Sequence, residues 1–331
     1  MRLASVRELK QAVHASLGRR RSRGAGAVVR VPGIAMGVAA GRRKNDYRLA
    51  VRVLARGAAT DALVTAIRQR AVGEVDVRPI DSTRFLAHKQ WNHRKVRPLQ
   101  PGLAIGTRLD GRVVFHREAT GTLGAFVTTG AGDTALLSCS HVLTWFGEGD
   151  LKRDVLQPAA ADAIGDAFHH VADVTAFTAL TTGTIVSADA GIATLKGRLG
   201  DVDATLLRGL VRGRDRRLVG TRTDPQPGDR VFKLGAATDA TCGTISAVEL
   251  DGVGFTNPDD ERIEFASSIM IDQEPGVPFA DVGDSGSLVV DDECRAVGLL
   301  FGSWTEGEAS GGVANPIQDV LDAVSSTLLV D

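Results

Sequence analysis

A serine hydroxyl is a weak nucleophile unless a base stands beside it and hydrogen-bond donors await the oxyanion that its attack creates. The segment Gly283-Asp284-Ser285-Gly286-Ser287 has the residue types for that chemistry. Its glycines let the backbone turn so that successive N–H groups converge on one small space; those of Gly283 and Ser285 are the candidates for an oxyanion hole. Apolar runs on either side, Ile269-Met270-Ile271 and Leu288-Val289-Val290, read as strands that would hold the turn. Taken alone, the segment also suits an ordinary β-turn, because Gly, Asp and Ser are all turn residues. A base is needed, and His141 is the candidate. It closely follows an apolar run in Leu136-Leu137-Ser138-Cys139-Ser140-His141-Val142-Leu143-Thr144.

The other reactive residues form poorer patterns. His88 and His93 have no acidic or thiol residue at ligand spacing. His169 and His170 are adjacent, so on a strand they point to opposite faces and chelate poorly. Cys139, Cys242 and Cys294 are odd in number and widely spaced, which is neither a disulfide framework nor a Cys-x-x-Cys metal motif. No metal and no cofactor are expected.

The elements that must position the serine and the histidine lie in two unlike regions. Residues 3–17 predict a helix with Val6, Leu9, Val13 and Leu17 on one face, ended by the basic run Arg19-Arg20-Arg21-Ser22-Arg23. A small α/β unit follows, in the order β-β-α-β. Its strands are residues 33–40, 47–54 and 75–80, and its helix is 60–70 with Thr60 as the cap. From residue 120 short apolar runs recur between Gly, Asp, Thr and Pro, the pattern of an all-β barrel or sandwich. Pro316 to Leu328 reads as a closing helix. The boundaries predicted are a basic helical arm over 1–30, the α/β unit over 31–85, a connector over 86–119 and the β-rich domain over 120–331.

Charge divides along the same line. Residues 1–110 carry 23 Lys and Arg against 7 Asp and Glu, and residues 111–331 carry 16 against 33. The basic part could dock on an acidic partner, either the acidic region of a neighbouring subunit or nucleic acid. Nucleic acid is the less favoured, since there is no aromatic stacking platform and no recognised nucleic-acid motif. The N-terminal segment lacks the apolar core of a secretion signal, and no apolar run approaches membrane-spanning length. With no disulfide framework, a reducing cytoplasm is the expected location.

In combination, four motifs resemble the chymotrypsin-like (trypsin-like) serine peptidases, and among them the intracellular bacterial and plant branch that is Narrow Leaf-like. They are Leu136 to Leu143, Val155-Leu156-Gln157-Pro158, Asp189-Ala190-Gly191-Ile192-Ala193 and Gly283 to Ser287. The resemblance covers most of residues 31–320. It implies a mainly β fold, a chymotrypsin-like double β-barrel with the small N-terminal α/β domain beside it. It also implies a serine endopeptidase that works on protein or peptide through a His-Asp-Ser triad and an acyl-enzyme. His141 would be the base and Ser285 the nucleophile. Asp189, which follows Phe177-Thr178-Ala179-Leu180 at the family's distance, is preferred as the third member, with Asp203 in Asp201-Val202-Asp203-Ala204 as the alternative.

The chain also departs from the secreted members. Val142 stands where they place a disulfide cysteine, and no Ile-Val-Gly-Gly-like start is present for activation by a new N-terminus. Local contacts, a partner or oligomerisation must then order the oxyanion loop. The position that would set the pocket floor is Phe279, with no carboxylate to anchor Lys or Arg. Residues 302–308 read as a loop from which Trp304 and Glu306 are candidates to touch substrate. The alternative function is a catalytically weak, peptidase-like module that binds peptides and docks through its basic region.

Overall fold

Runs such as Thr134–Ser138 and Leu288–Asp291 are short, apolar and bounded by turn residues, and each forms a strand buried along nearly its whole length. The computed structural model describes residues 1–17, 33–41, 43, 45–53, 57–72, 74–79, 91–109, 112–113, 120–144, 153–162, 168–197, 202–257, 260–306 and 309–330. The basic run 19–23, residues 81–85 of the α/β unit, His88 and the 86–90, 110–111 and 114–119 parts of the connector lie outside them.

The structure is mainly β, as expected, and is built on two sheets. In the first, Thr134–Ser138 pairs with Ala125–Thr129 on one side and Gly191–Leu195 on the other. The sheet continues through His169–Phe177 and Asp154–Gln157 to Ala104–Leu109, and curls into a half-barrel. In the second, six strands close on themselves. Arg230–Gly235 pairs with both Asp239–Asp251 and Leu288–Asp291, and the circuit runs on through Arg295–Glu306, Ala309–Pro316 and Ser268–Gln273. Closure uses up the edges along the circuit, leaving the far end of Asp239–Asp251 to pair elsewhere. The Ser285 turn enters Leu288–Asp291 of this closed barrel, while the His141 segment leaves Thr134–Ser138 of the half-barrel. Any site using both lies where the barrels face each other.

The N-terminal unit has the expected β-β-α-β order, but its sheet is not separate. Ile34–Ala40 pairs antiparallel with the far end of Asp239–Asp251, so Tyr47–Val53 and Val75–Pro79 extend the second barrel's sheet. Val6, Val13, Ile34, Met36, Leu49, Val51 and Ile67 share one core with the barrel's Ile245, Ile269, Ile271 and Val289. The helix Leu3–Leu17 is docked by charge as well. Arg7 donates to Glu249 at 2.8 Å, Lys10 meets Asp251 at 2.6 Å, and Lys10 also donates to the Glu249 carbonyl.

Three local expectations are corrected. The second helix is Ala58–Arg70, starting after Gly57, so Thr60 is a buried first-turn residue and not its cap. The closing segment is a two-turn helix, Ile317–Ala323, and then a strand, Ser326–Leu328, that pairs with Ala125–Thr129. Ser325, at φ 48°, makes the reversal that a continuous helix could not. Residues 302–306 are not loop but the end of strand Arg295–Glu306, paired with Ala309–Pro316; Gly307 and Glu308 lie outside the described residues.

Candidate active site

Beyond Thr134–Ser138 the chain turns into a short helix, Ser140–Thr144, pinned where the Ser140 hydroxyl donates to the Thr178 carbonyl at 2.7 Å. This presents His141 to Asp189, which sits just before strand Gly191–Leu195, the neighbour of Thr134–Ser138. His141 Nδ1 lies 2.5 Å from Asp189 Oδ2, and the His141 backbone N–H donates to Oδ1 at 3.1 Å. Asp189 has no exposure, and its own N–H donates to Asn315 Oδ1 at 2.8 Å. A carboxylate held this way fixes the proton on Nδ1 and leaves Nε2 as the basic nitrogen. Phe255 closes one side of the imidazole edge-on, with centroids 5.4 Å apart. Asp203 is engaged elsewhere, where its carboxylate accepts from Arg217 and its N–H donates to Leu99 O at 2.7 Å.

Ser285 lies in a turn braced by the first barrel. Thr122 donates its N–H to the Ser285 carbonyl at 2.8 Å and its hydroxyl to the Gly283 carbonyl at 2.8 Å, and accepts from Ala236 N at 2.9 Å. Gly283 and Gly286 take φ of 102° and 92°, the region glycine enters without steric cost. At Gly286 a Cβ would come within 2.4 Å of the Thr122 carbonyl oxygen. Among the described residues, neither the Gly283 nor the Ser285 N–H is bonded to an acceptor. The Ser285 hydroxyl donates to Phe301 O at 3.3 Å.

Asp284, between those two residues, is wholly buried. Its Oδ1 accepts from Ala237 N and Thr238 N at 2.8 and 3.1 Å, and its Oδ2 from Asp281 N and the Thr238 hydroxyl at 2.9 and 2.7 Å. Lys233 Nζ, also without exposure, stands 3.0 Å from Oδ2. Burial pushes the Lys233 ammonium below its ordinary pKa, and Asp284 opposes that effect only in part. These local contacts hold the Ser285 turn from within its own barrel. Sequence reading passed over Lys233, yet a signal was there: one charge inside the apolar run Val231-Phe232-Lys233-Leu234. Asn315 and Thr122 were missed too, because polar residues in short strands read as surface.

The remaining candidates fall as follows. Phe279 is completely buried; its ring lies so close to Gly243 and Gly312 that a Cβ on either would come within 2.9 Å of it. Trp304, expected on a loop, is a strand residue with 3% exposure whose indole N–H donates to Ile271 O at 2.9 Å. It packs against the strand and does not reach out from it. Among the described residues, two sets of side chains have ligand atoms close enough for a cation: Cys139, His141 and Asp189, and Asp154, His170 and Asp173. In the first, burial holds the Cys139 thiol well above its ordinary pKa, in the protonated form that binds metal poorly. In the second, Arg108 and Lys196 already pair with the two aspartates.

A closed six-stranded barrel beside a half-barrel defines the chymotrypsin-like class of fold. No family model and no curated protein sequence matches the chain. Solved structures do. A chymotrypsin of Cellulomonas bogoriensis is 17% identical with a TM-score of 0.46, covering 70% of this chain and 99% of its own. A Nocardiopsis protease is 18% identical at a TM-score of 0.47, covering 70% and 98%. Protease A of Thermobifida fusca is 16% identical at 0.47, covering 70% and 99%.

Proposed function

We propose that the chain is a serine endopeptidase. The observation that carries this reading is the His141–Asp189 pair: a wholly buried carboxylate that grips both the imidazole Nδ1 and the backbone N–H of one histidine. In the reaction, Ser285 Oγ attacks the scissile carbonyl carbon as His141 Nε2 takes its proton. The carbonyl oxygen becomes an oxyanion and accepts from the N–H groups of Gly283 and Ser285. Imidazolium then protonates the leaving amine, the C–N bond breaks, and an acyl ester remains on Ser285. Water, deprotonated by His141, attacks that ester; collapse returns the proton to Ser285 and frees the acid. Asp189 holds the imidazole in place and steadies the imidazolium in both halves. The position that the resemblance assigns to the pocket floor holds Phe279, so cleavage after Lys or Arg is not expected.

The test is covalent labelling with a fluorophosphonate. Wild type should be labelled and Ser285→Ala should not. Absence of labelling at every pH from 5 to 10 would replace the enzyme with the peptide-binding module.

A further inference from the structure

Asp284 is held by the turn Gly235 to Asp239, and that turn is in turn gripped from outside both barrels. Three consecutive side chains of the single-turn helix Trp91–His93 reach it. Trp91 Nε1 donates to Asp239 Oδ1 at 3.2 Å. Asn92 Nδ2 donates to the Gly235 carbonyl at 2.9 Å and to the Gly102 carbonyl at 3.0 Å. His93 Nε2 lies 2.5 Å from the Ala236 carbonyl. The next two N–H groups, Ala237 and Thr238, are those that bind Asp284 Oδ1. A continuous chain of bonds therefore links residues 91–93 to the residue before Ser285.

We infer that Trp91, Asn92 and His93 clamp the 235–239 turn, and that His93 is a positioning residue whose protonation sets how firmly that turn holds the Ser285 loop. The geometry requires a proton on each ring nitrogen. Nε2 faces a carbonyl oxygen and must donate. Nδ1 lies 2.7 Å from Asp162 Oδ2, an ion-pair contact that is not aligned as a hydrogen bond, and two unprotonated acceptors would repel at that distance. The groups facing the imidazole are Asp162 from the segment after Asp154–Gln157, and Asp284 with Lys233 behind it; Asp239 is occupied by Trp91. Burial alone would lower the His93 pKa, but Asp162, the Ala236 carbonyl and Asp284 outweigh it and the net direction is upward. The imidazolium is thus the form present below that raised value. Above it one N–H is lost, a lone pair faces either Ala236 O or Asp162, and the clamp loosens as pH rises. Sequence spacing hid this site, because Asp162 is far from His93 along the chain.

For its kinetic half the inference rests on the peptidase reading, so the test has two arms. In the Ser285→Ala background, amide hydrogen exchange of Ala237 and Thr238 is followed against pH beside the His93 imidazole NMR shift. Protection, corrected for intrinsic exchange, should fall at least about tenfold across the pH range where the imidazole titrates. The step should vanish in His93→Gln and move to lower pH in Asp162→Asn. In the active chain, the rate of fluorophosphonate acylation should decline with the same midpoint, and His93→Gln should lose that decline. No exchange step, or one that survives in His93→Gln with its midpoint unmoved by Asp162→Asn, overturns the clamp even if acylation is rapid. An exchange step that behaves as expected in a chain that never acylates upholds the clamp and removes the peptidase reading instead.

Discussion

Lys233 and Asp284 form an ion pair with no access to water, which is costly to make and more costly to halve. Lys233→Met should therefore destabilise by about 3–5 kcal/mol, because it strands a carboxylate that keeps its N–H donors but loses its cation. Lys233→Met combined with Asp284→Asn should recover much of that loss, and urea unfolding of the four chains of the cycle measures it. The pair also has a pH signature. A buried lysine with a lowered pKa gives up its proton before an ordinary one, so the ion pair is intact below that value and lost above it. Between the lowered and ordinary values the unfolded chain binds more protons than the folded one, so global stability does not fall there. What is lost is order in the Ser285 turn, and acylation should decline. Lys233→Arg should shift that decline to higher pH, since guanidinium keeps its proton. At the third corner of the site, Asp189→Asn should lower turnover on the order of 10⁴-fold through the wrong imidazole tautomer. Asp203→Asn, acting on a carboxylate paired with Arg217, should leave turnover within about twofold, as for a change remote from the chemistry.

At the scale of elements, the turn after Gly283 works because a strand of the other barrel braces it. Gly286→Ala should be far more damaging than a surface glycine change, since it combines positive φ with a Cβ driven into the Thr122 carbonyl. The expected result is a folded chain by circular dichroism with acylation reduced by about 10²-fold or more, the scale of losing one oxyanion donor. These elements also show what the sequence could and could not disclose. The short apolar runs announced the β-rich fold, and Ser285 and His141 stood out as candidates because one sits in a glycine-rich turn between such runs and the other closely follows one. The choice between Asp189 and Asp203 was not legible from the residues. Both precede apolar runs, and only the pairing of Gly191–Leu195 with Thr134–Ser138 brings one of them to His141. Trp304 was misplaced because Gly302 and Ser303 imitate a loop, whereas partners on Ala309–Pro316 keep them in a strand. His93 was set aside for want of a partner nearby in sequence, a criterion blind to long-range contacts such as that with Asp162.

For the whole molecule, the division of charge between the two regions is answered in part within the chain. Arg7 and Lys10 meet Glu249 and Asp251, and Arg78 meets Asp272 at 2.7 Å, so acidic strands of the second barrel take up some of the N-terminal basic excess. Together with the continuous sheet and shared core, this predicts that the N-terminal unit unfolds together with the barrel. Lys10→Glu tests that integration, because Lys10 and Asp251 are each only 12% exposed and screening there is weak. The substitution sets two carboxylates against each other and should cost about 2 kcal/mol, about 3 °C in Tm for a chain of this size. Adding Asp251→Lys should restore most of it by reversing the pair. Far-UV circular dichroism and tryptophan fluorescence should shift together in both variants, since one cooperative unit loses and regains the contact. A shift in only one of the two signals would mean that the N-terminal unit melts on its own, and the joined sheet would then not make a joined unit of stability.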